Sequence, residues 1–143
     1  MKSYDEEINW KGIGDYLSAA RTIAEHGTSN TSGPRIHCQG LALELSLKYY
    51  LWDKNGEYPG THNLEHLAFN ECHEINFSDH ERENILNLNK QYLKDGDFSY
   101  PSRYRPAEMR VVISISQEQL EAIVSKIING SNHAELLDRI LVR

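Results

Sequence analysis

No stretch of this 143-residue chain approaches the roughly 20 consecutive apolar residues that a membrane-spanning helix needs. The opening Met1-Lys2-Ser3-Tyr4-Asp5-Glu6-Glu7 is acidic and has no apolar core, so it does not read as a secretory signal. Cysteine is scarce. Cys38 and Cys72 both fall inside helical patterns and are expected to be small buried residues rather than a disulfide framework. These shortages together favour the cytoplasm and no membrane association. An excess of basic charge is also missing. Fifteen Lys and Arg stand against 21 Asp and Glu, a net charge of −6. This argues against a protein whose whole surface grips nucleic acid, because that binding rests on neutralising phosphates, but does not exclude a local basic site. Strand-forming runs are limited to Val111-Val112-Ile113-Ser114-Ile115, which has no obvious partner and reads as a packed extended linker.

What the chain does have is helical periodicity. Its length suits one domain, residues 1–143, and at 39% hydrophobic and 25% charged its composition is ordinary for a globular fold. Ile13, Tyr16, Leu17, Ala20, Ile23 and Ala24 predict a first helix ending at Gly27. Residues 28–34, with Gly33 and Pro34, read as a loop. A second helix is predicted from Arg35 to Lys54, stopped by Asn55-Gly56. It carries Leu41, Leu45 and Trp52 on one face, widened by Leu43, Leu47, Tyr50 and Leu51, as befits the central helix of a bundle. Tyr58-Pro59-Gly60 continues the turn.

Thr61 is positioned to cap a third helix carrying Leu64, Leu67, Ala68, Cys72 and Ile75. Ser78 with Glu81, and Ser116 with Gln119, are capping boxes that open two more helices. The first of these carries Ile85, Leu88 and Tyr92 and stops at Gly96. The second carries Leu120, Ile123, Val124, Ile127 and Ile128 to Gly130. A short last helix from Asn132 carries Leu136, Leu137, Ile140 and Leu141, an apolar turn expected to pack on a second subunit. Such helices joined by short loops predict an all-α, antiparallel up-and-down bundle, with Leu41, Leu45, Leu47, Leu51, Leu67 and Ile85 in its core.

Three segments, taken in order, resemble the HEPN family. Leu41-Ala42-Leu43-Glu44-Leu45-Ser46-Leu47-Lys48 is similar to that family's second helix, where Glu-Leu-any-Leu-Lys is typical. Thr61-His62-Asn63-Leu64 resembles its Thr-His-Asp-Leu turn, with Asn63 in place of Asp. Ser99-Tyr100-Pro101-Ser102-Arg103-Tyr104-Arg105-Pro106 resembles its Arg-Tyr-Pro stretch, with Arg105 inserted. The resemblance spans about residues 35–106. It implies a helical bundle, often homodimeric, found in bacterial toxin–antitoxin and defence systems. Many members are ribonucleases; others bind nucleotides, RNA or a partner protein.

Each candidate chemistry has a plainer competitor. Glu44 and Lys48, four apart in the favourable order, are either a structural ion pair, worth about 0.2–0.5 kcal/mol when exposed, or a ligand contact. The family's ribonuclease motif, an Arg followed after four to six residues by a His, joins phosphate stabilisation to general acid–base chemistry. Its match here, Arg21 to His26, lies in the first helix rather than the last. With eight arginines, seven histidines and three permitted spacings, about one such match arises by chance. Residues five apart also do not share a helix face. The strong helix over residues 117–129 holds neither Arg nor His.

His62-Asn63-Leu64-Glu65-His66 has the His-any-any-Glu-His spacing of some zinc peptidases, in which Glu65 would act as base. The family turn explains the same residues without metal, so no metal or cofactor is expected. His73 and His80 are expected to face solvent. Residues 98–110 interleave Phe98, Tyr100 and Tyr104 with Arg103, Arg105 and Arg110, the composition that stacks on bases and pairs with phosphates. The function expected is therefore a non-catalytic, homodimeric HEPN-like module binding a nucleotide, RNA or a partner protein such as an antitoxin. Its contacts would come from Arg103, Tyr104, Arg105, Tyr100, Glu44 and Lys48. A ribonuclease with a rearranged site is the alternative, and a zinc-dependent hydrolase using His62 to His66 a weaker one.

Overall fold

A computed structural model describes residues 2–3, 10–27, 32–93 and 115–141. The expected all-α class holds. Helix α1 spans Trp10–His26, α2 Ser32–Asn55, α3 Asp79–Tyr92, α4 Gln117–Asn129 and α5 Leu137–Ile140. One wide π turn, His66–Glu71, lies between α2 and α3, and a 3-10 turn, Ala134–Leu136, leads into α5.

Helix α2 is the axis of the bundle. Every residue from Ala42 to Leu51 is buried, so this helix is covered on all sides, and α1, α3 and α4 all pack against it. Ile13 and Leu17 from α1, Leu43, Leu47 and Leu51 from α2, Ile85 and Leu88 from α3, and the apolar stripe of α4 form one core. Burying each such side chain stabilises the fold by about 1.5–3 kcal/mol. Of the core positions expected from sequence, Leu45, Leu47, Leu51, Leu67 and Ile85 are buried, whereas Leu41 is only partly covered at the edge.

Several boundaries differ from the sequence expectation. Helix α2 starts at Ser32, so Gly33 and Pro34 form its first turn instead of a loop. Proline is compatible with a first turn, whose N–H groups have no intrahelical acceptor in any case. Residues 28–31 lie outside the described residues. Thr61 does not cap the third helix; its hydroxyl accepts from the Asn63 N–H (3.1 Å), and the Asn63 side chain in turn accepts from the His66 N–H (3.2 Å). That segment winds wide, the Cys72 N–H reaching the carbonyl of Leu67 five residues back, and it stops short of Ile75.

Gly56, with φ of +79°, turns the chain out of α2. Tyr58 is then extended rather than part of a turn. Its side chain is buried, and Glu57–Tyr58 pairs antiparallel with Lys2–Ser3, a two-stranded ladder absent from the sequence reading. So short a ladder owes its existence to the core that anchors Tyr58. The final apolar turn, expected to meet a second subunit, packs on its own chain. Ile140 is buried against α1, where a β-carbon at Gly14 would come within 3.2 Å of the Ile140 carbonyl oxygen. Gly96 and residues 98–114 lie outside the described residues, but Ile115 is buried as the linker reading requires.

Both capping boxes form. Ser78 Oγ accepts from the Glu81 N–H (3.1 Å) while Glu81 Oε1 accepts from the Ser78 N–H (2.8 Å). Ser116 and Gln119 repeat the pattern at 3.1 and 3.0 Å. Partial burial pushes the Glu81 carboxyl upward, but hydrogen bonds from Lys126 and the Ser78 N–H overcome this and hold it below the usual carboxylate range. A depressed carboxyl stabilises the fold above its unfolded value and loses that contribution as pH falls through its folded value. Ser116→Ala should cost about 0.5–2 kcal/mol in urea unfolding. Glu81→Gln should flatten the acid limb of the stability–pH curve; an unchanged limb would show that another carboxylate controls it.

Candidate functional site

Three side chains bond the Glu44 carboxylate, which lies in the middle of α2 and is 3% exposed. Lys48 Nζ, one turn on, donates to its Oε2 at 2.9 Å, and His62 Nδ1 lies 2.9 Å from the same oxygen. The Tyr92 hydroxyl, from the end of α3, donates to Oε1 at 2.8 Å. Since a carboxylate can only accept, His62 carries its proton on Nδ1 in this contact. Burial first, and then the Glu44 charge, push the Tyr92 phenol far above its ordinary value, so it stays a neutral donor. The pair is thus a buried ion pair, not the exposed one expected from spacing. Lys48 is 5% exposed, and its Nζ also lies 5.6 Å over the Tyr58 ring.

Gly40, one turn before Glu44, makes room for this arrangement. A β-carbon there would lie 2.2 Å from the Tyr92 ring, so only glycine lets that ring come so close to the α2 backbone. A second layer fastens the Thr61-His62-Asn63-Leu64 turn to α3. Asn89 Oδ1 accepts from the Leu64 N–H (2.9 Å), and Asn89 Nδ2 donates to Asn63 Oδ1 (3.1 Å). Sequence reasoning missed Tyr92, Gly40 and Asn89 as members of this network. A glycine in the centre of an otherwise strong helix was the available signal for the first two.

The zinc-peptidase spacing does not become a site. His62 is engaged with Glu44, while His66 Nε2 faces Glu71 at 3.3 Å. Among the described residues no group of three His, Cys, Asp or Glu side chains is placed to hold a metal. Cys72 is buried with its thiol pushed up to about 12 by burial and then by Glu71, which makes it a poor nucleophile. His73 and His80 are exposed as expected, His80 accepting from Gln119 Nε2 at 3.1 Å.

Arg21 and His26 go separate ways. The Arg21 guanidinium donates to Glu121 Oε2 on α4 at 2.6 Å, and Gln117 Nε2 donates to the same oxygen at 2.8 Å. The His26 side chain is 75% exposed, its nearest carboxylate Glu25 at 3.8 Å. Of the expected contact residues, Glu44 and Lys48 come together, whereas Tyr100, Arg103, Tyr104 and Arg105 lie outside the described residues.

The model of the HEPN domain matches residues 14–129, from within α1 to the last residue of α4. The chain belongs to the HEPN family. No curated protein and no solved structure matches it. HEPN domains are helical modules, often ribonucleases or nucleotide-related proteins, and they commonly dimerise. The matched region ends with α4, whose sequence Gln117-Glu118-Gln119-Leu120-Glu121-Ala122-Ile123-Val124-Ser125-Lys126-Ile127-Ile128-Asn129 holds neither Arg nor His.

Glu44→Leu strands the buried Lys48 ammonium and should cost about 3–5 kcal/mol, because an unpaired buried charge is far costlier than a missing pair. Adding Lys48→Met should recover part of that loss, as read from urea midpoints. Additive losses in the double variant would show that the two charges are not coupled.

Proposed function

We propose that this HEPN protein is a non-catalytic, homodimeric module that binds RNA or a nucleotide. The observation that carries the reading is the chemistry of α4, the last helix of the matched region, which offers no Arg or His. General acid–base catalysis of phosphodiester cleavage needs a group titrating near neutrality, and transition-state stabilisation needs a fixed cation. Helix α4 supplies no group of the first kind, and its one cation, Lys126, is engaged with Glu81 and the Asn76 carbonyl. The helix also supplies a carboxylate, Glu121, that consumes the guanidinium of Arg21. The Glu44–Lys48 pair serves packing and is withdrawn from the surface, so the ligand contacts fall to Tyr100, Arg103, Tyr104 and Arg105 in the aromatic–basic stretch.

The test is an equilibrium titration of labelled single-stranded RNA and of nucleotides, with RNA integrity followed on a gel. Arg105→Ala should weaken binding by about ten-fold or more, the consequence of losing a charged hydrogen bond worth about 1.5–3 kcal/mol. The salt dependence should be shallow, since with a net charge of −6 binding has to be local and neutralises few phosphates. Arg21→Ala should leave binding intact while lowering stability by about 1.5–3 kcal/mol, because it deprives the buried Glu121 of a donor. RNA cleavage lost in Arg21→Ala or His26→Ala would make the protein a ribonuclease with a displaced site. Absence of binding by the wild type would leave a module for a partner protein.

A further inference from the structure

Where α5 crosses the start of α1, the two helices enclose an open cleft of about 240 Å³. Its floor is Gly14 against Ile140, the close approach described above. Its walls carry an unusual combination of groups. The Trp10 indole is partly exposed, and Lys11 Nζ and the Arg139 guanidinium lie 5.9 and 5.8 Å from its ring centre. Asp15 and Ser18 complete the wall. Asp15 lies one turn on from Lys11, and both side chains are exposed. Among the described residues neither the Asp15 carboxylate nor the Ser18 hydroxyl takes a hydrogen bond or ion pair.

A cation–π contact at an exposed site is worth about 0.5–1 kcal/mol, and both cations stand at the outer limit of its range. Stapling α5 to α1 therefore does not account for this set of residues, the more so because Ile140 already holds the helices together. The larger cleft between α1 and α4, about 430 Å³, is lined by Glu25, Glu118 and Glu121, and its Arg21 is already paired, so it repels anions.

We propose that the cleft between α1 and α5 receives a nucleobase together with its ribose and phosphate. The base stacks on Trp10, a contact worth about 1–3 kcal/mol at nucleic-acid sites. The phosphate takes Arg139 and Lys11, each of which leaves its weak ring contact for a charge-assisted hydrogen bond. The ribose hydroxyls donate to Asp15, with Ser18 beside it. The carboxylate is what separates this ligand from a bare anion, since Asp15 repels inorganic phosphate but accepts from a sugar. At about 240 Å³ the open cleft is below the range that encloses a drug-sized ligand, so it partly covers a single nucleotide unit, either a free mononucleotide or one unpaired residue of an RNA, and leaves the rest in solvent. This assignment rests on the reading of the protein as a nucleotide- or RNA-binding module, and it adds a second site to the aromatic–basic stretch.

The experiment is calorimetric titration of the full chain with 5′-AMP, 5′-UMP, inorganic phosphate and a short unstructured RNA, with quenching of tryptophan fluorescence as a second readout. The variants are Trp10→Leu, Trp10→Phe, Arg139→Gln and Arg105→Ala. Arg139 is exposed, so its variant tests the site without disturbing the core. The mononucleotides, the RNA or both should bind, with inorganic phosphate failing to compete at the same concentrations. Binding should fall about ten-fold or more in Arg139→Gln and about five-fold or more in Trp10→Leu, and recover in Trp10→Phe, which keeps an aromatic face. Binding unchanged in both Arg139→Gln and Trp10→Leu overturns this site. If Arg105→Ala then abolishes it, the proposed function stands with its contacts in the aromatic–basic stretch alone. Binding of inorganic phosphate as tightly as of nucleotide also overturns it. A wild type that binds neither nucleotide nor RNA removes both the site and the function it rests on.

Discussion

A carboxylate placed inside a helical bundle loses its hydration, and it is tolerated only where its oxygens are met by donors. Glu44 imposes that condition on the whole fold. Its three donors come from three places: Lys48 from its own helix, His62 from the turn after α2, and Tyr92 from the last residue of α3. Meeting the condition fixes where the turn sits and where α3 ends. The Asn63–Asn89 layer repeats the constraint with neutral groups, tying the first residues of the turn to α3 through the Leu64 N–H. The apolar core fills the space around these bonds, but apolar contact alone would not select the rotation of α3 that presents Tyr92 to Glu44, because it has no direction.

That directionality explains why the family resemblance and the physics point to the same residues. Glu44, Lys48 and His62 stand in its motifs, and removing Lys48 or His62 takes one of three donors from the buried Glu44, while removing Glu44 leaves Lys48 without its carboxylate. Such residues report on architecture. They say little about ligand, since Glu44 and Lys48 are 3% and 5% exposed. The match over residues 14–129 therefore transmits the scaffold, and function has to be argued from side chains that the scaffold leaves at the surface.

How much of this was legible in the sequence follows the range of each interaction. The capping boxes at Ser78 and Ser116 were readable to the residue, because donor and acceptor are three positions apart and no distant group takes part. The centrality of α2 was readable from its wide apolar surface. The burial of Glu44 and Lys48 was not, since the same four-residue spacing serves an exposed pair equally well and only the cover supplied by Tyr92 and Tyr58 distinguishes the two cases. The Lys2–Ser3 ladder was illegible for a related reason: it depends on Tyr58 being anchored 56 positions away, and two residues carry no periodicity. The cleft at Trp10 and Arg139 joins residues near opposite ends of the chain, so no local pattern could mark it.

Helix α4 adds a second buried carboxylate to the bundle. Its buried stripe of Leu120, Ile123, Val124, Ile127 and Ile128 faces the core, and Glu121 beside it is 5% exposed. A buried carboxylate at that point needs a cation, and Arg21 meets the need from α1. An arginine committed in this way is restrained by its charge partner and by the Gln117 bond to the same oxygen, so it cannot turn towards a substrate phosphate without uncovering Glu121. The side of the bundle where α1 meets α4 is thus organised for stability and is acidic towards solvent, through Glu25 and Glu118. The cations that remain uncommitted on α1 and α5, Lys11 and Arg139, sit at the other end of α1 beside its only tryptophan. The paired charges and the loosely held ones are thus separated along the length of α1.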